Sequence, residues 1–153
     1  MLPELNNFID LFNKLQYDIK RLSTTSHIYE LLDCLLTINA LPEWIVNSSN
    51  VDIKIKLIAD EKLEIMKGRN FIFDENLLFE SIDQKLRLIR LVCNHAKHKT
   101  DSIQIPKISR QYDASFPMML PAKLGFVISI GSQRIDAEYI VYEVNKYWKS
   151  IIE

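Results

Sequence analysis

Glycine is scarce in this chain: Gly68, Gly125 and Gly131 are the only three in 153 residues. So few, so scattered, argue against a loop-rich fold and cannot build the glycine-rich phosphate loops of P-loop or dinucleotide-binding proteins. No window approaches about eighteen uninterrupted apolar residues, so the sequence offers no membrane span. Residues 1–7 lack the basic opening and long apolar core of a signal peptide, and the expected location is cytoplasmic. No Gly-x-Ser-x-Gly elbow occurs, so a hydrolase triad has no support. Excess charge is also missing: 19 Lys and Arg stand against 20 Asp and Glu, for a net charge of −1. Such a balance gives no global attraction to nucleic acid or to anionic membranes, and any phosphate binding must come from a local patch. Cysteine is limited to Cys34 and Cys93, both inside apolar helical patterns, where a reduced and buried pair is expected.

What is present is an ordinary globular balance, 48% apolar and 25% charged, in a length that suits one domain over residues 1–153. Leu5, Phe8, Ile9, Phe12, Leu15, Ile19 and Leu22 recur at helical spacing and predict an amphipathic helix over about 4–22. The hydroxyl cluster at 23–26 is expected to end it and to cap the next helix. Residues 27–47 are apolar on most sides, as in a central helix, with Pro42 expected to break or kink it. Trp44 reads as a packing anchor and His27 as a surface residue.

A third helix is predicted over 51–66, closed by Gly68, and a fourth over 75–99. Residues 102–105 alternate like a short strand that Pro106 ends, and 107–123 read as loop or irregular edge. The best strand signal lies in 125–135, with a turn at Gly131. Asp136 can cap a final helix over 137–152. The fold expected is therefore mainly α: four or five helices with a small hairpin or sheet inserted before the last one.

Chemistry concentrates in residues 83–99, which carry five cations and two of the three histidines. Wound at about 100° per residue, Asp83, Arg87, Asn94, Lys97 and His98 fall within about 80° of Arg90. Ile82, Ile89, Val92, Cys93 and Ala96 occupy the opposite side, and His95 lies about 140° away beside Leu88. His98, rather than His95, is the better companion of Arg90 and Asn94. The plainest reading is a solvated face favoured by the helix dipole. The functional one is an anion or phosphate site, because arginine offers a planar fork, asparagine orients a neighbour and histidine carries a proton near neutral pH. Glu30 and Asp33, one turn apart on the second helix, are expected to pair with Arg87 or Arg90. Cys93 and His95 point about 160° apart on a helix, and no second cluster completes a tetrahedral set, so no metal is expected. No cofactor is expected either.

Two resemblances rest on these stretches. Asn94-His-Ala-Lys97-His98 is similar to the Asn-x-x-Lys-His signature of an uncharacterised family of small bacterial helical proteins. Thr37-Ile-Asn-Ala-Leu-Pro-Glu-Trp44 is similar to that family's Thr-x6-Trp stretch, with an acidic residue before the Trp. Together they cover roughly residues 26–99 and the closing helix, and they imply a fold more than an activity. Arg90-Leu-Val-Cys-Asn-His95 resembles the Arg-x4–6-His pattern of the HEPN superfamily of helical nucleotide- and RNA-binding domains, with Leu91 where a polar residue usually stands.

Two functional expectations follow, from different classes. One is a non-catalytic binding module, with a homodimer as one option, in which Arg87, Arg90, Asn94, Lys97 and His98 meet an anion or a protein partner. The other, implied by the HEPN resemblance, is a metal-independent endoribonuclease of toxin or antiviral type, assembled as a homodimer. In it His98 (alternatively His95) would handle the 2′-hydroxyl proton while Arg90 stabilises phosphate charge and Asn94 positions both.

Overall fold

The computed structural model describes residues 5–25, 27–98, 106–110 and 125–153, and at 97 and 98 the helical backbone without the side chains. Among these the chain runs α1 (Phe8–Thr25), α2 (Ile28–Val46), α3 (Ile53–Met66), a single 3-10 turn (Glu75–Leu77), α4 (Ile82–His98), β1 (Lys107–Arg110), β2 (Phe126–Ile130), β3 (Gln133–Asp136) and α5 (Ala137–Ile152). The protein is thus mainly helical, with a small antiparallel sheet set before its last helix.

Local chemistry explains where the helices begin and end. Asn7 caps α1, its Oδ1 accepting the Asp10 N–H at 3.0 Å, so the helix starts later than apolar spacing suggests. The hydroxyl cluster that should have stopped α1 instead extends it. Ser23, Thr24 and Thr25 donate back to the carbonyls of Lys20 and Arg21, which keeps the last turn helical. The cap of α2 is consequently His27, whose exposed ring accepts the Tyr29 N–H at 3.1 Å.

Pro42 does not break α2, which continues to Val46. An internal proline forfeits one backbone bond at a cost of about 3 kcal/mol. Here Ile38, Leu41, Pro42 and Ile45 are all buried, and that packing offsets the loss. In the connector, Asp74 caps the 3-10 turn, and Ser81 Oγ then accepts the Gln84 N–H at 3.4 Å. The fourth helix therefore starts at Ile82 and not near residue 75.

α2 is the central rod. Its Leu31, Cys34, Leu35, Ile38, Leu41 and Ile45 are fully buried, and it packs against α1, α3, α4 and α5. Asp136 caps α5, accepting the N–H groups of Glu138 and Tyr139, and Ile140, Val141, Val144 and Trp148 turn inward from it. β2 is the middle strand, pairing Lys107↔Ser129 through Arg110↔Phe126 on one side and Val127↔Asp136 through Ile130↔Gln133 on the other. Its Phe126, Ile128 and Ile130 join the common core against α5.

The strand expected over 102–105 lies outside the described residues. β1 is a correction, because 107–110 was expected to be irregular. Lys107-Ile-Ser-Arg110 has one apolar residue, and it becomes a strand because β2 offers it backbone partners. The β2–β3 turn has Gly131 at φ 56°, in the left-handed region such tight turns demand. Glu75 reaches this turn and accepts the Ser132 hydroxyl at 3.1 Å, while Gln133 donates to Asn76 at 3.3 Å.

Candidate anion-binding face

α4 is unbroken from Ile82 to His98, so the spacing argument for its two sides applies to a real helix. Leu86, Leu88, Ile89, Val92 and Cys93 form its buried side. At Asp83, Arg87 and Arg90 the polar side is not simply a solvated face. It lies along α2 and α3, and three of its charged groups reach those helices.

Asp83 accepts from Lys62 of α3 at 2.9 Å. Burial works against the Lys62 charge, but the Asp83 hydrogen bond and neighbouring negative groups outweigh it and raise its pKa. One turn on, Arg87 Nη1 donates to the Met66 carbonyl at 2.6 Å. That carbonyl belongs to the last turn of α3, where unpaired acceptors and the negative end of the helix dipole favour a cation. Gly68 makes room for it. It sits at φ +76° in a Schellman-type ending (Gly68 N–H to Ile65 O, Arg69 N–H to Glu64 O), and a β-carbon there would lie 2.9 Å from the Arg87 guanidinium. Arg90 Nη1 reaches the amide oxygen of Asn39, a buried residue of α2, at 3.5 Å.

Both arginines are half-buried, yet among the described residues no carboxylate stands within ion-pair distance of either. Burial, and then the positive charge of Arg90, lower the pKa of Arg87. The carboxylates expected to answer them are elsewhere. Glu30 pairs with Arg21 at 2.7 Å, and Asp33 is exposed. Asn94 is partly exposed one turn beyond Arg90. His95 has its ring Nδ1 buried with no hydrogen-bond partner among the described residues. The side chains of Lys97 and His98 lie outside the described residues, so the structure brings together Arg87 and Arg90 with Asn39 and leaves the rest of the expected set open.

Asn39 was not singled out in the sequence; its burial within an apolar helix is the signal that could have raised it. A second polar group was missed as well. Asp18, 4% exposed, accepts from Lys14 and, at 3.3 Å, from the Thr37 hydroxyl, joining α1 to α2. Its sequence signal is a carboxylate among the inward positions Leu15 and Leu22. Cys34 sits beside this group, and burial followed by the Asp18 charge pushes its thiol up to about 12, so it is not a nucleophile at neutral pH. Cys93 donates weakly to the Leu35 carbonyl at 3.5 Å, and neither cysteine is in a disulfide.

Among the described residues no three His, Cys, Asp or Glu side chains gather closely enough to hold a metal ion. Among the described residues no helix is long and apolar enough to cross a membrane. No family model, curated protein or solved structure matches the chain.

Proposed function

We propose that this protein is a non-catalytic, cytoplasmic binding module whose α4 face, centred on Arg90 with Asn94 beside it, takes an anionic group presented by a partner. One observation carries the reading: among the described residues, two half-buried arginines, one turn apart, are held by neutral oxygens alone. Desolvating a guanidinium without a counter-charge is costly, and a phosphate or carboxylate arriving at this face would relieve it. Among the described residues Arg87 spends one of its five N–H donors on Met66, and Arg90 makes a single contact at the outer limit of hydrogen bonding. Both forks therefore retain donors for a bidentate anion. The endoribonuclease alternative uses the same arginine and depends on His98 or His95.

Titration of isotope-labelled protein with inorganic phosphate, followed by amide shifts, tests the reading. The expected result is saturable movement around residues 87–94, weakened at least about tenfold by Arg90→Met. No movement at millimolar phosphate, or movement unchanged in the variant, would overturn it. Incubation with total RNA in EDTA runs beside it, with sedimentation to establish whether the chain is a dimer. Cleavage lost in both Arg90→Ala and His98→Ala would replace the binding module with the nuclease.

A further inference from the structure

The Thr37–Trp44 stretch, which resembles a family motif, meets the α4 face through Asn39, which accepts from Arg90. Its two ends serve different places. Thr37 belongs to the buried Lys14–Asp18 group, whereas Trp44 and the neighbouring Glu43 border an open groove of about 700 Å³. The groove lies between the start of α1 and the loop after α2, with Asn7, Asn47, Ser49 and Asn50 completing the polar part of its wall. Because α1 and α2 pack against each other as neighbours, their capping residues are brought together there.

From these walls we infer a binding site for a neutral, polyhydroxylated ligand, a saccharide. This goes beyond the anion reading and stands independently of it. Among the described residues the wall contains asparagines, serines, one carboxylate, Trp44, Phe8 and Ile9, but no lysine or arginine. That composition disfavours phosphates and carboxylates, because among these residues a bound anion would face Glu43 without a compensating cation. Each asparagine offers both a donor pair and an acceptor, and a carboxylate accepts from two hydroxyls at once. These are the complements of adjacent ring hydroxyls, which are simultaneously donors and acceptors.

The groups are also unspent. Among the described residues the side chains of Glu43, Asn47, Ser49 and Asn50 have no hydrogen-bond or ion-pair partner, and neither does the Trp44 indole N–H. Trp44 is part-buried against the core, so its ring is held in place where it borders the groove. A fixed aromatic surface beside neutral hydrogen-bonding groups suits the apolar C–H face of a sugar ring together with its hydroxyl edge. The volume admits one or two such rings.

Two tryptophans make the test direct. Trp148 is fully buried in α5, so the indole N–H signal of Trp44 can be told from it in a labelled protein by a Trp148→Phe variant. Titration with a panel of neutral mono- and disaccharides (hexoses, N-acetylhexosamines and their dimers) up to about 20 mM covers the weak affinities such open sites show. The expected result is saturable shift of the Trp44 indole and of amides 43–50 with one stereochemical group, and not with others. Asn47→Ala and Glu43→Gln, both at exposed positions, should each weaken that binding about tenfold while leaving the remaining spectrum unchanged. Absence of shift with every saccharide overturns the proposal, as does equal response to inorganic phosphate at the same signals. A Trp44 signal that moves only when residues 1–4 are deleted would make the groove a seat for this chain's own start, and would overturn it too.

Discussion

Two polar groups are packed against α2, and they are settled in opposite ways. On the α1 side a buried carboxylate, Asp18, is met by an ammonium and a hydroxyl, so charge and hydrogen bonds close within the fold. On the α4 side Arg87 and Arg90 are met by a main-chain carbonyl and a side-chain amide, so hydrogen bonds are made but the charge is not answered. The first arrangement is what a helix pair needs to fix its register. The second leaves positive charge standing in partial burial, which folding alone does not require. That contrast is the observation on which the proposed anion site rests.

The largest effect should come from breaking the closed group. Asp18→Ala removes the acceptor of the Thr37 O–H and the counter-charge of the Lys14 ammonium, which keeps its 3.0 Å bond to Thr37 Oγ1 and is still 38% exposed at its side chain. Because that ammonium can turn to water, the loss should be about 2–3 kcal/mol in urea unfolding, below the figure for a fully buried pair. A loss under about 0.5 kcal/mol would mean that the two sides of α2 do not differ as described.

An intermediate effect is expected at the cradle of Arg87. Gly68→Ala forces a β-carbon into a left-handed residue and to within 2.9 Å of the guanidinium, costing about 1–2 kcal/mol. Repeating it in an Arg87→Ala background should remove the steric share, giving a coupling of at least about 0.5 kcal/mol. Additive losses would show that the guanidinium does not need the missing side chain.

The smallest effect sharpens the comparison most. Arg90→Met should change stability by no more than about 0.5 kcal/mol without ligand, since the described residues supply no anion to be stranded. A loss above about 2 kcal/mol would place a counter-charge inside the fold and erase the contrast.

Much of the helical architecture could be read from apolar spacing, because α1, α2 and α5 carry their inward residues at three- and four-residue intervals. The mainly helical class with a small sheet before the last helix follows from that pattern and from the alternation in Phe126–Ile130. What spacing could not supply was the outcome of local competition. Ser23, Thr24 and Thr25 extend a helix they were expected to end, Pro42 rides inside one, and Ser81 resets the start of α4. The candidate face shows the same division. Spacing gave the mutual direction of Arg87 and Arg90, which follows from helical pitch. It could not reveal that α2 and α3 stand opposite them, nor that Glu30 turns to Arg21, because those facts belong to packing between distant segments.

The turn between β2 and β3 carries a consequence for the connector that precedes α4. The Glu75 carboxylate occupies the space where any side chain at position 131 would begin. Glycine there is thus a keyhole. It admits a hook from a segment more than fifty residues earlier, and the hook ties the hairpin tip to the loop that launches α4. A larger residue would unlatch the tip from Glu75, leaving Gln133 and Asn76 to hold the hairpin to the connector while α5 packs on the sheet.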